Sequence, residues 1–198
     1  MARAFTEKEK KEIREKILET ALDLFHDEGT KSLNIGELTK RVGIAQGSFY
    51  NFWKNKDSLI VDLLAYRSMQ KLKILEKDFS KSLDKPTEFL TNTIYSSAIY
   101  LLEKTKIQPI YREAFKIFAH QDTDKTNKVE KLYIDFVNKL VDYWQENHVI
   151  RNVNRKGLSN AFIGSFILCA HYSHFDEDSF EDVLHTYISS IVNKYIEL

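Results

Sequence analysis

The sequence predicts an all-α protein of nine helices in two domains. Three observations lead there. Only 6 Gly and 2 Pro interrupt 198 residues, apolar residues recur three and four apart over most of the chain, and no stretch alternates with the two-residue period of a strand. A composition of 43% hydrophobic and 29% charged residues is that of an ordinary globular protein, so the helices have enough apolar surface to pack on one another.

The helices can be placed in order. Thr6 with Glu9 is a capping-box pattern, followed by Ile13, Ile17, Ala21 and Phe25 on one helical face, and Gly29 is placed to end that helix. Asn34 with Glu37 is a second box, opening a helix of about two turns that should bury Ile35, Leu38 and Val42 before Gly43 stops it. A third short helix is expected from Gln46 to Trp53. Asn55 is placed to cap a fourth, from Lys56 to about Phe79. Pro86 suits the first turn of a helix reaching about Lys104, and a shorter one should cover Gln108 to Ala119. The polar run His120 to Lys128 reads as a loop into a helix that ends near Asn147. Asn154 should cap a helix from Arg155 to His174, and Asp178 with Glu181 should open the last.

Charge and cysteine content narrow the setting. The 29 basic and 29 acidic residues cancel, so an argument for a nucleic-acid partner must be local. A single Cys, Cys169, leaves no intramolecular disulfide and suits a reducing cytoplasm. The longest apolar run, Ala161 to Ala170, is well short of the ~20 residues of a membrane span. A cytoplasmic protein with no membrane partner is expected.

Two short helices joined by a Gly-containing turn have the layout of a helix-turn-helix, whose second helix must protrude into a DNA major groove about 12 Å wide. Phe49 and Trp53, four apart, share the inward face, which turns Gln46, Ser48 and Tyr50 outward. Gln can pair with adenine, Ser with several bases, Gly47 permits close backbone approach, and a Tyr hydroxyl can reach a phosphate. Between Lys31 and Lys56 five basic residues (Lys31, Lys40, Arg41, Lys54, Lys56) face one acid, Glu37. Lys56 also stands at the positive end of the fourth helix, where an ammonium and backbone N–H groups together suit a phosphate.

The run ILETALDLFHDEGTKSLNIGELTKRVGIAQGSFYNFWKNKDSLIVDLL, Ile17 to Leu64, resembles the DNA-binding domain of TetR-family transcriptional regulators. It carries their order of features: a first helix ending in LF before a Gly, then V-G-I, G-S-F-Y, an aromatic, K-N-K-D and Leu. The resemblance implies a helix-turn-helix domain over residues 1–55 with its motif at 34–53, a connecting helix over 56–79, and an effector-binding and dimerisation domain over 80–198. It implies DNA contacts from Asn34, Gln46, Gly47, Ser48, Tyr50 and Lys56, with Lys54 as a further one. Two positions depart from the pattern: Ala45 replaces the Ser or Thr that commonly caps the recognition helix, and Phe52 stands where a His or Tyr is common.

In the larger domain, Tyr95, Tyr111, Phe115, Phe136, Tyr143, Phe162 and Phe166 are candidates to line a ligand cavity, although aromatics at helical spacing usually form core. Together they favour an apolar or aromatic effector. Ala161, Gly164, Ser165, Ile188, Ile191 and Val192 are small or apolar positions that, by the resemblance, would form a four-helix dimer interface. Cys169, His171 and His174 lack the paired spacing of a zinc site, and no metal or cofactor is expected. No Gly-rich phosphate loop, nucleophile elbow or H-E-x-x-H motif suggests an enzyme. The resulting expectation is a dimeric repressor released from a pseudo-palindromic double-stranded operator by a small effector. The alternative is a helical ligand-binding or assembly protein that no longer reads DNA.

Overall fold

Helix starts and stops follow the capping chemistry of the sequence closely. In the computed structural model of the chain, residues 5–24, 34–119 and 123–198 are described, with the side chains of 115, 117–119 and 123–127 outside that description. The expectations for Phe25 and Gly29 therefore lie outside the described residues, as does Lys31. The elements are α1 (Glu7–Leu22), α2 (Ile35–Val42), a 3-10 helix (Gln46–Asn51), α3 (Lys56–Glu76), a 3-10 turn (Phe79–Ser82), α4 (Pro86–Ile107), α5 (Pro109–Ala119), α6 (Thr123–Glu146), β1 (Asn152–Val153), α7 (Arg155–Ala170), a 3-10 turn (Tyr172–His174), α8 (Phe180–Tyr195) and β2 (Ile196–Glu197). Eight α-helices and the 3-10 helix after α2 match the all-α expectation among the described residues.

The α1 capping box is complete. Thr6 Oγ1 accepts from the Glu9 N–H at 3.2 Å, and the Thr6 N–H donates to Glu9 Oε2 at 2.7 Å. At α2, Asn34 Oδ1 accepts from the Glu37 N–H at 3.1 Å, while the Glu37 carboxylate pairs with Arg41 one turn on. Gly43 ends α2 at φ +84°, a left-handed conformation that glycine adopts without a Cβ penalty. The Asn55 side chain accepts from the Ser58 N–H at 2.9 Å and opens α3; the Asn154 side chain accepts from the Gly157 N–H at 2.9 Å and opens α7.

Several boundaries differ from expectation for local reasons. α3 stops at Glu76 and a 3-10 turn follows. α6 already begins at Thr123, since the polar run before it contains neither Gly nor Pro to prevent a helix. Its C-terminus uses His148 at φ +57°, with the Val149 N–H reaching Trp144 O and the His148 N–H reaching Gln145 O, a glycine-type cap in a segment that lacks glycine. α7 ends at Ala170 rather than His174, and the remaining residues tighten into a 3-10 turn. Asp178 does not cap α8; Ser179 occupies the N-cap, makes no side-chain cap bond and donates instead to Asp176 at 2.6 Å. Two two-residue strands, unanticipated in so helical a sequence, pair antiparallel with Val153 opposite Ile196.

Two compact units are interleaved along the chain: residues 1–67 with 105–126, and residues 68–104 with 127–198. The first has a core of Ile17, Leu18, Ala21, Leu38, Val42, Phe49, Trp53, Leu59, Ile60 and Leu63, joined by Ala114 and Ile110 of α5. The second buries Leu90, Ile94, Phe136, Trp144, Phe162 and Phe180, with Leu184, Ile188 and Val192 of α8 also buried. Among the described residues no helix is long and apolar enough to cross a membrane.

Inside the second unit the buried Trp144 indole N–H donates to Ser82 Oγ at 2.7 Å, and that hydroxyl donates onward to the Phe79 carbonyl at 2.6 Å. Ser82→Ala leaves the indole N–H buried without this acceptor. It should lower unfolding stability by about 1–3 kcal/mol, read as a lower urea midpoint with an unchanged m-value.

Candidate nucleic-acid interface

The short helix that would enter a DNA groove is a 3-10 helix over Gln46–Asn51, not an α-helix reaching Trp53. The Ser48 N–H reaches Ala45 O and the Phe52 N–H reaches Phe49 O, both at 2.9 Å, in the i to i+3 pattern; one α-type bond, Trp53 N–H to Phe49 O at 3.2 Å, closes the segment. Ala45 at the N-cap offers no side-chain oxygen, and the i to i+3 bond to its carbonyl satisfies the Ser48 N–H instead.

Its aromatics divide cleanly. Phe49 and Trp53 are buried, with rings stacked at 5.7 Å and 27°. Tyr50 is 57% exposed and meets Phe49 edge-on at 5.4 Å. Phe52 is half-buried and lies between two other rings, Trp53 at 5.9 Å and Phe5 at 6.3 Å. It packs between Trp53 and Phe5, an apolar task for which no hydrogen-bonding group is needed.

Trp53 is held by charge as well as packing. Its indole N–H donates to Asp62 Oδ2 at 2.9 Å, Arg14 pairs with the same carboxylate, and the Arg14 guanidinium lies 4.8 Å from the Trp53 ring centroid. The Asp62 side chain is only 12% exposed, so this carboxylate joins α1, the 3-10 segment and α3 at a largely dry position. Neither Arg14 nor Asp62 is among the sequence candidates. An acid inside the apolar run Leu59 to Leu64 was the available signal.

The candidate contact residues lie within a short reach of chain. Asn34, Gln46, Gly47 and Lys54 are exposed, while Ser48 and Lys56 are half-buried. A Cβ on Gly36 would stand 3.2 Å from Asn34 Oδ1 and 3.5 Å from Gln46 Oε1, so the glycine makes room for the Gln46 amide beside the N-terminus of α2. Lys16 donates to the Val42 carbonyl at 3.0 Å and satisfies the C-terminal end of α2. Lys56 is paired: its ammonium is 3.2 Å from Glu113 Oε1 of α5, a partner 57 residues away with no local sequence signal.

Residues 17–63 match the profile of the bacterial regulatory proteins of the tetR family. The chain carries a TetR-family helix-turn-helix domain. Among its relatives are the HTH-type transcriptional regulator AcrR of Shigella flexneri, 30% identical over 117 residues (59% of this chain, 52% of that protein), and the HTH-type regulator YerO of Bacillus subtilis, 29% identical over 130 residues (60% and 44%). The matched region thus spans about half the length of these relatives. Two solved structures share the fold of the whole chain: RolR in complex with resorcinol (TM-score 0.68, 14% identity, 96% of this chain and 90% of that one) and the TetR-family repressor FadR of Thermus thermophilus in complex with lauroyl-CoA (TM-score 0.63, 17% identity, 90% and 93%). The TetR-type architecture of an N-terminal helix-turn-helix followed by a helical C-terminal region is therefore that of this chain.

Beyond the TetR domain, the candidate pocket residues are not brought together as one set. Phe136, Tyr143, Phe162 and Phe166 belong to one aromatic cluster with Phe79 and Tyr133, the Tyr133 ring lying 4.9 Å from both Phe162 and Phe166. Phe136 and Phe162 are fully buried core; Tyr143 and Phe166 retain exposed edges. Tyr95 is elsewhere, donating to Glu181 at 2.6 Å beside His185, and burial together with that carboxylate pushes its hydroxyl up to about 12. Tyr111 belongs to the other compact unit, and the Phe115 side chain is outside the described residues. Of the dimer candidates, Ala161, Ser165, Ile188 and Val192 are fully buried within the chain, leaving Gly164 and Ile191 half-exposed. Cys169 donates to the Ala98 carbonyl, and burial pushes its thiol up to about 12; His171 and His174 are exposed beyond the end of α7.

The Trp53 anchor is testable without DNA. Asp62→Ala removes the acceptor of the indole N–H and the partner of Arg14 together. It should cost about 1–3 kcal/mol of stability, discounted for the partial exposure of Arg14, and should raise the solvent accessibility of Trp53 in fluorescence quenching with Trp144→Phe as background.

Proposed function

We propose that the chain is a dimeric, ligand-responsive transcriptional repressor whose TetR-type domain binds a pseudo-palindromic DNA operator. The observation that carries the reading is the polarity of the 3-10 segment. Its apolar rings are anchored on α1 and α3, while Gln46, Gly47 and Tyr50 are left at the surface beside Lys54. Asn34 and Gln46 flank the start of α2, and their side chains are the base-edge candidates. Tyr50, Lys54 and Lys56 are phosphate contacts that fix register, with Ser48 in either role.

For dimerisation, the outward phase of α7 and α8 is the better candidate than the positions already buried between them. Ile167 is 55% and Val183 42% exposed, with Ile163, Tyr187 and Ile191 half-buried. Tyr187 crosses from α8 to α7, donating to the Asn160 carbonyl at 3.1 Å, and a Cβ at Gly164 would collide with its hydroxyl. The two helices thus present one apolar surface, and a two-fold copy would build four helices. To read a pseudo-palindromic operator, the two 3-10 segments of such a dimer would stand about 34 Å apart, one turn of DNA.

The effector is a small apolar or aromatic molecule. Support comes from the aromatic cluster of the second unit, and from the resorcinol ring and the apolar acyl chain of lauroyl-CoA bound by proteins of the same fold. α3 runs unbroken from Lys56 in the first unit to Glu76 in the second, and so provides a covalent route for coupling. A coupling of about 1–3 kcal/mol suffices to change operator occupancy five- to a hundred-fold.

The decisive experiment titrates the protein against its own promoter at two salt concentrations; a specific complex above non-specific background is expected. Gln46→Ala should relax preference at one base position, and an unchanged preference would sink its role. Tyr50→Phe and Lys56→Ala should weaken binding to all sequences, Lys56→Ala flattening the log K against log salt slope by at most about half a unit because its ammonium is shared with Glu113. Ile167→Asp should convert the dimer to a monomer at micromolar concentration in sedimentation velocity, with helicity retained.

A further inference from the structure

Within the first unit, one ion pair joins the candidate DNA surface to a helix far along the chain. Lys56, the first residue of α3, is 3.2 Å from Glu113 on α5, and the two side chains are 31% and 47% exposed. α5 is not loosely placed there. Ala114, beside Glu113, is 1% exposed within the helix-turn-helix core, and Ile110 one turn earlier packs on the same core. A fixed backbone therefore presents the carboxylate to the one lysine at the N-terminus of α3.

We propose that Glu113 is an affinity-determining residue that competes with the DNA backbone for Lys56; the proposal rests on the DNA-binding function given above. A single ammonium neutralises either a carboxylate or a phosphate, and a phosphate brought to Lys56 also meets the charge of Glu113 at close range. While the pair is closed, Lys56 is already neutralised and releases no DNA counterion on binding, so the protein gives up part of its salt-dependent affinity. The pair is exposed enough to be screened, so it opens without a large penalty and sets a modest brake rather than a lock. Any rearrangement that withdraws α5 from Lys56 would tighten DNA binding, and one that seats it more firmly would weaken it.

The test is a double-mutant cycle on the full chain with a fluorescent ~20-base-pair duplex of arbitrary sequence, so that operator identity does not enter. Glu113→Gln, isosteric and uncharged, should bind two- to fivefold tighter than wild type at about 50 mM salt, with a slope of log K against log salt steeper by about half to one unit. In a Lys56→Gln background the same substitution should give less than half that gain, since only the general effect of removing one negative charge is left. Equal gains in both backgrounds, or no gain in the wild-type background, overturn the proposal while leaving the DNA-binding function standing. A wild-type chain that binds no duplex at low salt overturns that function, and the role of Glu113 with it.

Discussion

The Asp62 carboxylate is the constraint on which the first unit depends. It accepts from the Trp53 indole N–H and pairs with Arg14, and so three separate pieces of chain meet at one largely dry position. Charged groups buried to this degree are tolerated only when paired and hydrogen-bonded, and here both conditions are met. The consequence is geometric. With Trp53 fixed and Phe49 stacked on it, the preceding turn has only one way to face, and the residues between and before them are displayed outward. The polar surface proposed to read DNA is therefore the by-product of an apolar and ionic anchor on its opposite side.

That anchor also supports the short helix. Ala45 supplies no side-chain cap, and the 3-10 pattern by itself is a weak structure. Tertiary contacts compensate: Phe49 and Trp53 from below, Phe52 and Phe5 from the side. A segment lacking its own cap can stay ordered because its neighbours hold its rings. Phe52 meets the rings of Trp53 and Phe5, so an apolar side chain suits its position.

The interleaving of the two units has a functional implication. α5 lies far from the helix-turn-helix in sequence but contributes Ile110 and Ala114 to its core and Glu113 to its charge pattern. The charge pattern of the proposed DNA surface is thus not a property of the first sixty residues alone. In the second unit the aromatic cluster is mostly core, and Phe166 and Tyr143 are its half-exposed members. On α7 and α8 the exposed Ile167 and Val183 and the half-buried Ile163, Tyr187 and Ile191 make up the surface proposed above for a second copy.

The sequence by itself determined the helical class, most helix starts and the division of the aromatics in the turn after α2. These depend on local chemistry: Thr6, Asn34, Asn55 and Asn154 cap through groups three residues away, Gly43 ends a helix through its own φ, and the four-residue spacing of Phe49 and Trp53 puts them on one face. Expectations failed where the outcome depended on something not local. Nothing near Asp178 shows that Ser179 will take the N-cap. The tertiary structure decided that Ala161, Ser165, Ile188 and Val192 are used within the chain, that Asp62 holds Trp53, and that Glu113 meets Lys56. Each joins residues separated by many turns of helix, and such pairings are set by how whole helices pack, which no short window of sequence contains.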